Sequence, residues 1–461
     1  MRIKTGSPLA PTLFGFGSDA AFLQMTGIAS DSREVLPGDL FLALPGEKTD
    51  GAAYLEEAFA RGASYVLSHQ PNVDPRVLTV PDPLSTLSRA ASRYADRIPH
   101  KTVAITGSYG KTTLRVALTS VLSSAFPVVC TEGNGNTDLA VALTLLSMAP
   151  GTTYLIAELG MRGPGEISRL SRLTKPDLSV VTAIGSAHVG RLGSVDAIRK
   201  AKCEIADGMK PDGTLFYPAS DPLLTQAVMA LPVRARGVSV DPTVPGTYTV
   251  TEVTRENGKA VVSFAGPEGS LDRVVLPSSD TPVLTAAAFC FAVCERCGVD
   301  RSITRKGLER LPSPPLRRQS ETVGGVTLIL DCYNASPEPT AAALDDLKDY
   351  TERGDRLFLV LGDMLELGDQ AVEQHRTIGR QAAGLSPSRL ICVGETAHEY
   401  GVGANEAGLS KQNVETFSQD ELPALAAFLR KQTQPGDVVL IKGSRALALE
   451  RLLPLFKQAD V

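Results

Sequence analysis

The sequence predicts an α/β protein in three units: a small α/β domain over residues 1–98, a central parallel-sheet domain of P-loop ATPase type over 99–311, and a Rossmann-like domain over 312–461. Three observations carry this reading. A chain of 461 residues exceeds what one hydrophobic core organises, and ordinary domain sizes divide it into about three. From Ala104 onward short apolar runs alternate with stretches of helical period, the pattern of a doubly wound parallel sheet. Leu311-Pro-Ser-Pro-Pro315 then breaks the pattern as a linker does, and strand-helix alternation starts again at Val326.

In the first unit, Ile28-Ala-Ser-Asp-Ser-Arg33 leads into Leu36-Pro-Gly-Asp-Leu-Phe-Leu-Ala-Leu44, a short apolar strand behind a Pro-Gly turn. A second turn, Pro45-Gly46, leads past Asp50-Gly51 to a helical pattern through Tyr54-Leu55 and Ala58-Phe59 that stops at Gly62. Val66 to Leu67 and Val77 to Val80 read as further strands. Ser30, Asp31, Ser32 and Arg33 lie in a loop and by themselves read as a solvated turn.

The central unit opens on Thr102-Val-Ala-Ile-Thr-Gly-Ser-Tyr-Gly-Lys-Thr-Thr113, where an apolar run stops at Gly107 and a helical segment, Leu114 to Leu122, follows Lys111. Gly107 and Gly110 allow a tight turn that aims the N-H groups of Ser108 to Thr113 and a helix N-terminus at an anion. Lys111 supplies a point charge, and Thr112 a hydroxyl for Mg2+. This is equipment for a nucleoside triphosphate. Ile105 stands where the standard loop has its first glycine, so the motif is the shorter G-x-x-G-K-T-T form.

Val128 to Cys130 is a short strand before the polar loop Thr131-Glu-Gly-Asn-Gly-Asn136, and a helix is expected from Leu139 to Met148. Tyr154-Leu-Ile-Ala-Glu158 is a strand ending in a carboxylate, and Leu178 to Ile184 another ending just before His188. Ligands of open α/β sheets gather at the carboxyl ends of strands, so Glu158 and His188 share a rim with the phosphate loop. Together with Thr112 they make a magnesium environment in which the imidazole is the unusual member. A helix follows from Ser194 to Met209, in which Lys200 and Lys202 read as solvated charges. Residues 213–275 alternate apolar and polar positions between turns and predict antiparallel strands. Leu284 to Val299 is an apolar helix. In the third unit, strands are expected at Val326 to Leu330, Leu357 to Leu361, Leu390 to Val393 and Val438 to Ile441, with Asp331 and Lys442 at strand ends.

Composition narrows the function classes. Hydrophobic residues make 43% and charged residues 21%, with a formal net charge of -5, so no basic excess points to nucleic acid or to a membrane surface. Met1 to Gln24 lacks a charged region followed by a long apolar run, and apolar runs elsewhere are short. A cytoplasmic protein without signal peptide or membrane span is expected. The 7 cysteines are scattered and suit reduced thiols; Cys290, Cys294 and Cys297 lack a second ligand pair and read as small core residues of an alanine-rich helix.

These motifs resemble the Mur ligase family, and within it the branch that adds D-alanyl-D-alanine to UDP-N-acetylmuramoyl tripeptide, over nearly the whole chain. Ser30 to Gly46 with Asp50-Gly51 is similar to the family's UDP-sugar-binding domain. Ala157-Glu-Leu-Gly-Met161, Pro164-Gly-Glu-Ile167, Ile184-Gly-Ser-Ala-His188 and Ala201-Lys-Cys-Glu-Ile205 resemble its ATPase domain. Asp331-Cys-Tyr-Asn-Ala-Ser-Pro337, Leu361-Gly-Asp-Met-Leu-Glu-Leu-Gly368 with His375, and Lys442-Gly-Ser-Arg445 resemble the C-terminal domain of this branch, the second run most specifically.

The resemblance implies ATP and Mg2+ as cofactors, the UDP-linked tripeptide and D-alanyl-D-alanine as substrates, and a monomer. It implies that Lys111 and Thr112 hold the β/γ-phosphates and metal, that Glu158 and His188 sit on magnesium, and that Lys202 is carbamylated to make a further carboxylate. Asp331 then contacts the ATP ribose and Arg318 approaches the γ-phosphate. Ser30 to Arg33 and Asn136 serve the acceptor, and Asn334, Lys442 and Arg445 the amine substrate. The implied chemistry is phosphorylation of the tripeptide carboxylate followed by displacement of phosphate by the dipeptide amine, which requires charge neutralisation and positioning. The chain departs from the pattern at Tyr109, Thr137, Ala140, Ala142, Gly190 and Ser336, and in Thr281-Pro-Val-Leu-Thr285, where the family's adenine-side His-Asn and Asn are replaced. Two other readings stay open: a paralogous ATP-dependent amide ligase with a different acceptor or amine, and a nucleotide-binding protein that no longer catalyses.

Overall fold

The computed structural model describes residues 1–16, 24–46, 49–133, 135–256 and 259–458; Asn134 of the polar loop and part of the Met1 to Gln24 segment lie outside them. Three sheets follow one another along the chain. The first contains β1 (Arg2–Leu9), β2 (Met25–Ala29), β3 (Asp39–Leu42), β4 (Tyr65–Ser68) and β5 (Val77–Thr79), in sequential order. Only the β1–β2 pair is antiparallel. Every residue of β3 and β4 is buried, because crossovers cover both faces of a parallel sheet and leave no face for alternation.

The central sheet contains β6 (Lys101–Thr106), β7 (Val128–Cys130), β8 (Tyr154–Glu158), β9 (Leu178–Val181), β10 (Thr214–Pro218), β11 (Arg234–Ser239), β12 (Tyr248–Glu256), β13 (Lys259–Gly266) and β14 (Gly269–Leu276), in the order 14-13-12-11-10-9-6-8-7. The expectation of antiparallel strands over 213–275 is corrected at its start. β10 and β11 run parallel to β9, and only β12 to β14 form an antiparallel meander. Leu215 and Phe216 are fully buried, so β10 belongs to the core of the parallel sheet, although its flanking turns look like hairpin turns in the sequence. The helix Asp138–Leu146 packs its Leu143 and Leu146 into one core with Leu9, Met25 and Leu42 of the first sheet, which fixes the first unit against the second.

The third sheet contains β15 (Gln319–Val323), β16 (Val326–Asp331), β17 (Leu357–Gly362), β18 (Arg389–Val393), β19 (Val414–Phe417) and β20 (Val438–Lys442), in the order 15-16-20-17-18-19 and parallel except at β15. β16 and β20 are neighbours in register, so Asp331 lies opposite Lys442 at their carboxyl ends. The helix expected from Ser194 to Met209 is two pieces, Val195–Cys203 and a 3-10 turn over Glu204–Gly208. Cys290 and Cys294 are wholly buried on the helix Thr281–Cys297, the inert packing expected of them. Among the described residues no helix is long and apolar enough to cross a membrane.

Candidate active site

The central site is built on the turn between β6 and the helix Lys111–Ser123. Gly107 has φ 147°, and a Cβ there would lie 2.1 Å from Thr182 Oγ1. Gly110 caps the helix in the left-handed region at φ 81°, and no side chain occupies the cap. The first-turn N-H groups are therefore free to face an anion. Lys111 folds back so that its Nζ donates to Gly107 O at 2.7 Å. Burial lowers the Lys111 ammonium pKa, with Arg317 adding to the effect and Glu158 opposing it.

Glu158, at the end of β8, is 4% exposed, and its carboxylate gathers its neighbours. Oε2 accepts from Thr112 Oγ1 at 3.0 Å and from Arg115 Nε at 3.3 Å, while Oε1 accepts from Asn136 Nδ2 at 3.3 Å. Arg115 is a site residue that sequence reasoning missed. Its signal was a cation inside an otherwise apolar helical stripe, which must find a partner when buried; it finds Glu158 and Thr131 O.

Lys202 corrects the expectation of two solvated lysines. Lys200 is exposed and pairs with Asp196, but Lys202 on the same helix is 1% exposed. Burial, reinforced by Lys111 and opposed by Glu158, Glu204 and Glu166, holds its pKa well below that of an ordinary lysine. His188 sits at φ 71° and donates from Nδ1 to Glu366 Oε2 of the third unit at 2.9 Å. Glu366, too, was missed as a site residue, although it lies in the most specific motif of the C-terminal unit. His375, by contrast, is fully buried: its Nε2 accepts from Met364 N and its Nδ1 donates to Ala371 O, so it props the same motif from behind.

The third unit closes the site through Arg317 rather than Arg318. Arg317 lies over the ring of Tyr333 at 4.2 Å and donates from Nη2 to Thr112 Oγ1 at 3.2 Å. Arg318, expected at the γ-phosphate, is instead drawn to Asp280 at 2.7 Å and Asp346 at 3.1 Å. The one-residue shift has a backbone cause: Leu316 and Arg318 both have φ 58°, so the loop turns at each and presents the residue between them. Lys442 Nζ binds Asp331 Oδ2 at 2.7 Å and Asn334 O at 3.4 Å.

Lys111, Thr112, Glu158, His188, Arg317, Arg318 and Glu366 line one cavity of about 440 Å³ between the second and third units, with Ser108, Thr113, Asn136, Asp331, Asn334 and Lys442 also on its wall; Lys202, Arg115 and His375 are not part of that wall. Pro282, Val283, Ala286, Phe289, Pro312 and Pro339 add apolar surface to the wall, which suits a planar base. The hydroxyls beside it are already used, Thr281 Oγ1 on Asp346 and Thr285 Oγ1 on Thr281 O. Ser30 to Arg33 lie elsewhere, in the turn after β2: Asp31 pairs with Arg33, and the buried Ser32 hydroxyl donates to Glu57 at 2.7 Å. Arg445 pairs with Glu450 and is likewise outside the cavity wall. Among the described residues no three His, Cys, Asp or Glu side chains cluster as a self-sufficient metal cage. Thr112 and Glu158 offer two oxygens side by side, a donor set suited to Mg2+ that keeps phosphate and water ligands.

Comparison with known proteins agrees with this fold. Three family models match in succession: "Mur ligase family, catalytic domain" over 24–100, "Mur ligase middle domain" over 105–271 and "Mur ligase, glutamate ligase domain" over 317–445. The UDP-N-acetylmuramoyl-tripeptide–D-alanyl-D-alanine ligase of Bacillus subtilis is 32% identical over 93% of this chain and 92% of its own length. A crystal structure of MurF from Acinetobacter baumannii superposes with a TM-score of 0.87 at 27% identity, covering 99% of this chain and 100% of that one. MurF from Thermotoga maritima in complex with ADP superposes at 0.84 with 26% identity, covering 93% and 96%.

Proposed function

The chain belongs to the Mur ligase family, and on that premise we infer that it is an ATP-dependent ligase that adds D-alanyl-D-alanine to UDP-N-acetylmuramoyl tripeptide in peptidoglycan precursor synthesis. The observation that carries the reading is the convergence on Thr112: its hydroxyl, at the end of the phosphate loop, meets Glu158 from β8 and Arg317 from the third unit. A protein that only bound nucleotide would have no need for a second domain's cation at that point.

In this reading residues 1–98 hold the UDP-sugar, with Ser30 to Arg33 contributing, residues 99–311 hold ATP, and residues 312–461 bring the amine substrate. The β- and γ-phosphates lie over the N-H groups of Gly110 to Thr113, the Ser108 N-H being held by Ala183 O, and Lys111 leaves Gly107 O to neutralise them. Mg2+, held by Thr112, Glu158 and His188, supplies further charge neutralisation when bound. Arg317 faces the transferring phosphoryl group, and Asp331, tied to Lys442, faces the ribose. The tripeptide carboxylate attacks the γ-phosphorus and the bond to ADP breaks, leaving an acyl phosphate. The dipeptide amine then attacks the acyl carbon, phosphate departs, and the amine loses its proton. Asn136 orients the acceptor, while Asn334, Lys442 and Arg445 orient the amine. Burial, reinforced by Lys111, lowers the Lys202 pKa and so favours the neutral amine that carbamylation by CO2 requires.

The test is ATP-dependent phosphate release with the tripeptide ending in lysine or diaminopimelate, and with D-alanyl-D-alanine, each omitted in turn. Release that requires both substrates supports the reading. ATP binding without release in any combination overturns it in favour of a ligase with another acceptor.

A further inference from the structure

The short segment from Gly185 to Gly190 carries His188, and the third unit grips it on both sides. On one flank, Ser186 N and Oγ donate to the two carboxylate oxygens of Glu338 at 2.8 and 3.2 Å. On the other, Gly190 N donates to Glu366 O at 3.3 Å, and the backbones touch so closely that a Cβ on Gly190 would stand 2.9 Å from Gly368 N and 3.0 Å from Glu366 O. Between these grips lies the contact of His188 Nδ1 with Glu366 Oε2 at 2.9 Å. Both residues hold left-handed backbones, at φ 71° and φ 72°, a conformation that non-glycine residues keep only where surrounding contacts fix it.

We propose that Glu366 is a positioning residue for His188, so that the metal-facing imidazole of the central unit is set only when the third unit docks. A carboxylate has no proton to give, so the hydrogen of the shared bond belongs to Nδ1. The other ring nitrogen, Nε2, then carries its lone pair outward, as an imidazole needs in order to ligate a metal, and the ring plane is fixed. An accidental surface ion pair would join two mobile side chains. Here each partner is anchored by its own backbone and by a second inter-unit hydrogen bond next to it. Gly190 is part of the arrangement: having no Cβ, it lets the Glu366 backbone approach. The inference rests on the reading that His188 faces Mg2+, and it adds that a residue of another domain controls how well.

The experiment compares Glu366→Ala, Glu366→Gln, His188→Ala and the Glu366→Ala/His188→Ala double variant in the full chain, with melting curves confirming the fold. Two quantities are measured: the affinity for the non-hydrolysable analogue AMP-PNP across a Mg2+ titration, and the Mg2+ concentration for half-maximal turnover. Glu366→Ala should raise the Mg2+ requirement by about 10–100-fold, the usual effect of losing a residue that orients a metal-bound histidine, with AMP-PNP affinity in the absence of Mg2+ unchanged. Glu366→Gln, whose side-chain oxygen still accepts from Nδ1, should fall close to wild type, and the double variant should be no worse than His188→Ala. An unmoved Mg2+ dependence in His188→Ala would overturn the metal reading of that histidine and the proposal with it. A shift in His188→Ala without one in Glu366→Ala would overturn the positioning role alone.

Discussion

Replacing Lys202 with methionine should stabilise the protein while abolishing turnover. The amine lies in a side chain 1% exposed, with Lys111 pressing on it electrostatically, so at neutral pH folding must either bury a charge or strip a proton. Methionine keeps the unbranched stem and removes the amine. Exchanges of buried charged groups for apolar residues of similar size have stabilised proteins by roughly 1–4 kcal/mol, and a gain on that order is expected here in CO2-depleted buffer. The pH dependence fixes the sign. In the unfolded chain the lysine titrates at its ordinary value of 10.5, and in the folded chain well below it. Between those two values the unfolded state holds one more proton, so wild-type stability rises with pH by up to about 1.4 kcal/mol per unit. The advantage of Lys202→Met should therefore shrink as pH climbs and vanish above the unfolded value. Bicarbonate should stabilise wild type, because carbamylation binds the folded amine, and should leave the variant unaffected. Urea unfolding followed by fluorescence or circular dichroism reads all three. A variant less stable than wild type at pH 7, or an advantage that does not change with pH, would refute the picture of a buried amine held near neutrality.

Three further substitutions separate roles that the cavity brings together. Lys111→Ala should lower kcat by at least about 10²–10³-fold, the scale of one lost electrostatic donor, with an unchanged melting curve; near-normal turnover would exclude it from phosphate binding. Arg317→Ala should lower kcat with little loss of stability, whereas Arg318→Ala should cost about 3–5 kcal/mol because it leaves Asp280 and the buried Asp346 without their counter-ion. Stopped-assay kinetics beside denaturant melts decides it, and the reverse pattern would return the phosphate-facing role to Arg318. Gly190→Ala should leave the melting curve intact yet raise KM and lower kcat together, since its methyl meets backbone rather than a movable side chain; unchanged kinetics would mean that the two units need not approach so closely during the reaction.

Much of this architecture was legible in the sequence because its causes are local. Gly107 and Gly110, followed by Lys111, mark the phosphate loop because the positive φ angles and the free helix N-terminus both depend on residues within one turn. Glu158 was legible because a carboxylate at the end of an apolar strand must lie on the rim of a parallel sheet. The direction of β10 was not. Thr214-Leu-Phe-Tyr217 carries turn signals on both sides, but whether a strand runs parallel or antiparallel depends on the neighbour it finds, and its neighbours β9 and β11 make it parallel. Lys200 and Lys202 show the same limit in a helix. Two positions apart, they point to different sides, and only the packing of Val195–Cys203 against the sheet decides which ammonium loses its water.

Apart from Arg115, the residues that escaped prediction share a property that bears on mechanism. Arg317, Glu366 and Glu338 all come from the third unit, and each contacts a backbone or side-chain group of the second: Thr112, His188 and Ser186. No periodicity or motif spacing within one unit announces such a partner, because the pairing exists only when the two sheets face each other. The central unit alone presents a phosphate loop with Lys111, a carboxylate and an imidazole, and its Arg115 is tied to Glu158 beside Thr112. The third unit adds Arg317 at that point, and at the same time holds the segment carrying His188 from both ends. If, as proposed, the second unit holds ATP and the third brings the amine, binding and activation are divided between domains, and a nucleotide captured before the third unit docks lies in an incomplete site, where its hydrolysis by water is disfavoured.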